Sequence, residues 1–548
     1  MNYRYSAGYN WKAGPVNQQP ELDFGNIIQN TRDQNLSGTV NLVKLYNKVK
    51  FFKDINTPPR PQPTRPNTTN RPQQQQQRPQ QPQAADTVKQ TPGLIKGLAR
   101  LLMSLRSVNG TFTKTEGTIL PGFNRSPYLV GMDADFDAPG WGFIFGDQDP
   151  DIRYKAASNG WLVQSKSLTN PFSQIQNRTV NIRANIEPAT DLKIQVDFKK
   201  NVSTQYTEIF RFDDVDNSFE SSSPSRSGSY EISTLSINTT FNKTNDRVES
   251  EVFKTFEENL EIIRNRFAPI TGAEYDSATQ DVLIPAFIAA YTGKDVNTIS
   301  LSPFPRTPMP NWNVTYSGLN KLGSLKDVFQ SVTISHAYVS SYRVLNYVNS
   351  LKYNDPDQVA IDRPIEDYNE RYFGQEIDGT LVPVYLISQV LISEKFAPLI
   401  GISVRTKGRL TASVQYKTGR DLALNISNAQ ITELNNKDIS FDLGFTKNNM
   451  KLPFKSQGRT IVLKNDVTFK LNFTITDSKT IQRKINERNI ITNGNVNFQL
   501  RPNITYQVNQ KLSLQGYFER TINEPLVSNS YRRATTRFGI QVRFSLAQ

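Results

Sequence analysis

The chain has 548 residues and offers few groups that could do bond chemistry. It has one histidine, His336, and no cysteine. A Ser-His-Asp arrangement would have to be built on that imidazole, and no serine stands in a GxSxG elbow. His336 follows Val332 and Ile334 and precedes Tyr338 on one strand face, so it reads as a rim or packing residue. The lack of cysteine removes disulfides, zinc thiolate sites and thiol nucleophiles. There is no P-loop, GxGxxG or HExxH motif. One polar cluster has ligand-like spacing: Asp133, Asp135 and Asp137, with Asp147, Asp149 and Asp151 close behind. It imitates the start of a calcium loop, but Ala138 stands where the turn glycine belongs and Ile144 where the bidentate glutamate belongs. Loop and cap carboxylates are the favoured reading, with calcium the alternative. The expectation is a protein that is not an enzyme and needs no cofactor.

The informative residues are those that alternate. Val467, Phe469, Leu471, Phe473 and Ile475 share one face of a strand, and Thr468, Lys470, Asn472, Thr474 and Thr476 share the other. Near the C-terminus Phe538, Ile540, Val542 and Phe544 lie opposite Arg537, Gly539, Gln541 and Arg543. Successive strand side chains point to opposite faces, so each such strand separates a wet space from an apolar one. These runs are about 9–14 residues long, against roughly 9–11 to cross a bilayer and an ordinary strand mean of ~5–6. A one-residue slip would put Lys470 into lipid at about 2–4 kcal/mol near the midplane, so the register is well specified. The expected class is all-β: part of a large antiparallel transmembrane β-barrel with helical and disordered loop insertions. Lipid is expected against the residue set from Val467 to Ile475, and water against Lys470, Asn472, Arg537 and Arg543. A soluble β-sandwich alternates in the same way and is the alternative.

Composition agrees with one-sided burial. Hydrophobic residues are 37% of the chain, below the globular norm, as expected when only one face of each strand is apolar. The net charge is +14. Lysine and arginine recur singly on polar strand faces rather than in runs, which reads as a solvated wall and argues against nucleic acid. No stretch reaches the ~18 apolar residues of a membrane helix. Met1 to Gly8 begins directly as an alternating strand with no signal peptide. The outer-membrane reading therefore expects the chain to be a piece of a longer protein.

Five regions are expected. Residues 1–56 hold strands and a connecting segment. Residues 57–90 are a Pro/Gln-rich tract that cannot bury apolar surface. Residues 91–245 carry strands, a basic amphipathic helix with Leu94, Leu98, Leu101 and Leu105 at helical spacing, and the Asp-rich loop. A change of strand phase near Ser233 and Thr234 predicts a β-bulge. Residues 246–309 are a helical insertion outside any bilayer, with Val252, Phe256, Leu260, Ile263 and Phe267 stepping along one face and a second helix near 278–291. Residues 310–548 return to strands.

Several segments carry a family resemblance. They are Ala138-Pro139-Gly140-Trp141-Gly142-Phe143-Ile144-Phe145-Gly146, Asn159-Gly160-Trp161-Leu162, Asp281-Val282-Leu283-Ile284-Pro285-Ala286-Phe287, Pro310-Asn311-Trp312, Ser335-His336-Ala337-Tyr338 and Phe396-Ala397-Pro398-Leu399-Ile400-Gly401, with the ending from Phe538 to Gln548. On these segments the chain resembles the C-terminal part of the SprA/Sov family, the outer-membrane translocons of the Bacteroidota type IX secretion system. The resemblance implies a very large barrel that passes folded cargo across the outer membrane and supports gliding motility where present. It implies as partners cargo proteins with a C-terminal secretion domain, a PorV-type shuttle barrel, a plug protein and outer-membrane lipid, with no catalytic residues. In such barrels an aromatic-bearing last strand is read by the insertion machinery, and Phe538, Ile540, Val542 and Phe544 are the candidates. A solute transporter or porin, or a soluble β-rich surface adhesin, are the rival readings.

Overall fold

The structure is a computed structural model. It describes residues 1–15, 23–56, 93–242, 248–271, 275–351, 365, 375–377, 380–456, 458–527 and 530–545. The Pro/Gln-rich tract and the last three residues lie outside that set, as does much of the acidic stretch 354–378.

The alternating segments become strands. They are β1 (Asn2–Lys12), β2 (Asn26–Asn41), β3 (Leu105–Phe123), β4 (Phe172–Ala189), β5 (Leu192–Asp213), β6 (Ser218–Ser233), β7 (Asn311–Tyr316), β8 (Phe329–Asn349), β9 (Gln375–Ile377), β10 (Thr380–Val382), β11 (Tyr385–Ile387), β12 (Gln389–Thr406), β13 (Leu410–Asn425), β14 (Gln430–Lys447), β15 (Met450–Ser456), β16 (Arg459–Leu463), β17 (Val467–Lys484), β18 (Ile490–Gln507), β19 (Leu512–Pro525) and β20 (Arg533–Phe544). Sixteen of them form one antiparallel sheet, whose main path runs in chain order from β1 to β20. Two small hairpins, β9–β10 and β15–β16, stand apart from it. The all-β, barrel-like class is therefore observed.

The strands exceed the expected length: β5 has 22 residues, β8 has 21 and β17 has 18. The reason lies in what they carry beyond the apolar run. Towards the end of the sheet away from Phe544, the same face that bears Phe473 continues into charged residues and then into a second apolar zone. Two chain segments cover that upper zone.

The first covering segment, residues 124–171, links β3 to β4. Its Phe143, Ile152, Ala156 and Trp161 pack on Ile28, Leu120 and Phe172 of the sheet. The second, residues 234–310, carries α-helices Ile237–Thr240, Glu251–Thr271 and Gln280–Thr292. The expected stripe Val252, Phe256, Leu260, Ile263 and Phe267 is buried at 0–6% exposure. It belongs to one core with Tyr342, Val344, Ile392, Leu422, Leu424 and Ile431 of the sheet. At about 25 cal/mol per Å² of apolar surface, burying each of these side chains contributes roughly 1.5–3 kcal/mol, enough to hold the insertion against the wall.

The expected bulge at Ser233 and Thr234 is not what happens. β6 ends at Ser233, the chain leaves the sheet, and Ile237–Thr240 is helical. When the chain returns, β7 takes up the place below β6, between β5 and β8. The apparent change of phase marks an exit from the sheet rather than an extra residue within it. Two smaller expectations also shift. Leu105 begins β3, and the helix before it covers Gly93–Leu102. The mixed segment near 36–55 divides into the end of β2 and two short helices, Leu42–Tyr46 and Lys50–Asn56.

Candidate functional site

The site is a surface rather than a pocket: one face of the sheet, organised in three bands along the strands. Register fixes the lowest. Val414, Phe441, Phe473 and Leu500 lie in one row across β13, β14, β17 and β18, and Tyr416, Ile439, Ile475 and Phe498 lie in the next. Rings meet within the band, Phe473 with Phe498 at 5.0 Å edge to face and Phe445 with Phe469 at 6.5 Å. Large apolar side chains remain open there, including Ile402, Val414, Ile439 and Ile504 at 42–48% exposure. On β20 Phe538 and Ile540 are 81% exposed and Val542 and Phe544 about 60%. Val467, Phe469, Leu471, Phe473 and Ile475 all belong to the band, with Val467 buried at its lower edge.

The opposite face of the same strands is polar throughout. Lys470 is exposed there, the Asn472 side chain donates to Asp442, and Arg537 and Arg543 project beside Glu519 and Ser513. Opposite charges are interspersed. Arg183 pairs with Asp197 at 2.6 Å, Arg501 with Glu519 at 2.8 Å, and both Lys199 and Arg343 with Glu231. These pairs are at least partly exposed, so each adds little stability; they place both charge signs on this face. Tyr517 lies across Gly539 on this face, covering a strand position that has no side chain of its own.

Above the apolar band, on the same face, runs a row of buried arginine–glutamate pairs: Arg32–Glu116, Arg153–Glu208, Arg420–Glu394 and Arg483–Glu433. Each joins a strand to its neighbour or to a covering segment. Arg420 also donates to the carbonyls of Thr239 and Ser236, while Glu394 accepts from Tyr338 and Ser236. Arg483 donates to the Val248 carbonyl at 2.7 Å. Glu116 is shared by Arg32, Lys114 and Gln176. Burying a charge is costly unless it is paired and hydrogen-bonded; these groups are all paired, and Arg483 Nη2 is left without a hydrogen-bond partner. The third band is the apolar zone beneath the insertion. Sequence reasoning missed the middle row, yet its signal was present: Arg420, Glu433 and Arg483 occupy the apolar phase of their strands.

The other candidate residues find ordinary roles. His336 Nδ1 lies 2.7 Å from the Leu399 carbonyl, and its ring sits between Trp312 and Phe396. Asp133 Oδ1 accepts from the Asp137 and Ala138 amides, Asp137 accepts from Trp161, and Asp135 is exposed beside Arg125. Among the described residues, the acidic group close enough to share an ion is instead Asp213, Asp216 and Glu220, on a surface turn. Leu98 and Leu101 of the basic helix are exposed, while Ala99 is buried. No helix of the described residues is long and apolar enough to cross a membrane, which leaves strand-based crossing open. No family model matches this chain, and no curated protein does either.

Proposed function

We propose that this chain forms an arc of the wall of an outer-membrane, protein-conducting channel, of the kind the SprA/Sov resemblance implies. The observation that carries the membrane part is the lower band: a zone about nine residues tall, apolar and open on one face, polar on the other, repeated in register from β13 to β18. The Val467 to Ile475 run matches the ~9–11 tilted residues that cross a hydrocarbon core. The opposite face, with both charge signs interspersed among Asn, Thr and Ser, would stay hydrated and bind passing folded proteins poorly. The channel part rests on the family resemblance, as do the shuttle, plug and cargo partners, the role of the last strand in membrane insertion and any role in gliding.

Deleting the encoding gene and following a cargo protein with a C-terminal secretion domain tests the proposal. Accumulation of that cargo in the periplasm is expected. Normal secretion together with impaired solute uptake would favour a transporter barrel, and recovery of the protein in a soluble fraction would favour an adhesin.

A further inference from the structure

The upper edge of the apolar band holds a cavity of about 630 Å³, roofed by part of the 234–310 insertion and floored by β12, β13, β14 and β17. Its lining changes character with height. Leu399 and Tyr416 stand towards the apolar band, Lys437, Asp477 and Lys479 stand above them, and Phe241 packs on Phe396 at the level of Lys437. Lys437 and Asp477 face each other across β14 and β17, and Lys479 is the next residue on the same face. The neighbouring charges in the wall are already matched: Arg420 holds Glu394, and Arg483 holds Glu433. No ion pair within 4.0 Å joins Lys437, Lys479 or Asp477 to another described residue. Asp477 Oδ1 is buried without a hydrogen-bond partner. An unpaired buried carboxylate oxygen is costly, and its presence beside two lysines asks for a ligand with both charge signs.

We propose that this cavity binds the headgroup of a phosphoethanolamine lipid. The phosphate lies between Lys437 and Lys479, the primary ammonium is held by Asp477, and the acyl chains run down past Leu399 and Tyr416 into the band. Two lysines supply charge-assisted bonds to phosphate, and the carboxylate distinguishes a small ammonium, with protons to donate, from a choline that has none. This assignment rests on the reading of the band as a membrane-facing surface.

The test uses the full chain reconstituted in nanodiscs of equimolar phosphatidylethanolamine and phosphatidylcholine, with retained lipid identified by native mass spectrometry. Wild type is expected to retain phosphatidylethanolamine preferentially. Asp477→Asn should lower that preference by about tenfold, and Lys437→Gln/Lys479→Gln should lower retention of both lipids. Soluble phosphoethanolamine, added in a separate arm, should compete poorly, because it lacks the chains; full competition would show that the site takes the free headgroup, and would overturn the lipid assignment. Equal retention of the two lipids by wild type, unchanged in the variants, would overturn it too. Failure to enter nanodiscs at all would instead count against the membrane reading, so the two failures are distinguishable. Circular dichroism of each variant separates lost binding from lost fold.

Discussion

Arg420 donates from Nε to Glu394 Oε2 at 2.8 Å, buried within the wall at the edge of that cavity. The two residues face each other on β13 and β12, and the guanidinium reaches on to the Ser236 and Thr239 carbonyls of the insertion. One ion pair thus closes a strand pairing and also fastens the covering segment. Removing one partner leaves an uncompensated buried charge, so Glu394→Gln or Arg420→Met should destabilise the upper sheet by about 3–5 kcal/mol. The double variant Arg420→Met/Glu394→Leu removes both charges and should recover most of that loss. Denaturant titration of the four proteins in detergent measures the coupling; additive losses in the double variant would sink the claim.

The two faces of β17 can be told apart by charge. Phe473→Arg places a guanidinium in the open apolar band and should cost about 2–4 kcal/mol in a bilayer, whereas Asn472→Arg, one residue away, should be nearly neutral. Folding equilibria in phospholipid vesicles give both numbers. Equal costs would mean that the Phe473 side does not face hydrocarbon.

Gly228 admits no side chain. A Cβ there would lie 2.0 Å from the Ser203 carbonyl oxygen and 2.6 Å from the Tyr347 hydroxyl. The tyrosine tip could swing aside, but the carbonyl belongs to the β5 backbone. Gly228→Ala should therefore part β5 from β6, with a loss of about 3 kcal/mol or more, in the range of severe steric substitutions. Gly110, with nothing near it, is the control, and its alanine variant should fold normally. Protease resistance of the two variants decides the matter.

Asp281, in the first turn of the helix Gln280–Thr292, has its carboxyl pushed up by burial to about 6 from an ordinary 3.8, against the weaker opposing pull of the neighbouring Gln280 and Tyr275 side chains. The folded state therefore binds the proton more tightly than the unfolded state. Between about pH 4 and 6 folding takes up a proton, so stability falls as pH rises across that window and the loss is complete above it. Asp281→Asn should abolish this dependence and slow the opening of residues 280–292 at pH 7, by about 1–3 kcal/mol in hydrogen-exchange free energy. Unchanged exchange in the variant would show that the carboxylate is not strained.

Much of the wall was legible because its physics is local. A period of two names the faces, and Lys470 between Phe469 and Leu471 leaves one register. The helix stripe from Val252 to Phe267 was legible for the same reason, being a repeat of near-helical period with charges elsewhere. What the sequence hid is non-local. Glu394 and Arg420 are ordinary charged residues until pairing across β12 and β13 sets them side by side. The Asp133, Asp135 and Asp137 spacing imitates a ligand set, and only the folded loop shows Asp133 and Asp137 accepting from loop donors while Asp135 is exposed. The cavity beneath Phe241 needs the insertion and four strands to meet, and no window along the chain contains them.

The exit at Ser233 has a consequence for how such a wall can change. The Ser233 hydroxyl donates to the Met309 carbonyl at 2.6 Å, and the Met309 amide returns a bond to the Ser233 carbonyl. The chain therefore comes back to the place it left, and β8 pairs with Ser233 and Trp312 at nearly adjacent positions, as if nothing lay between them. Residues 234–310 are in effect a parenthesis in the sheet. Material can be added or rewritten inside it without renumbering a single strand pairing outside, so the covering domain and the wall are free to diverge at different rates.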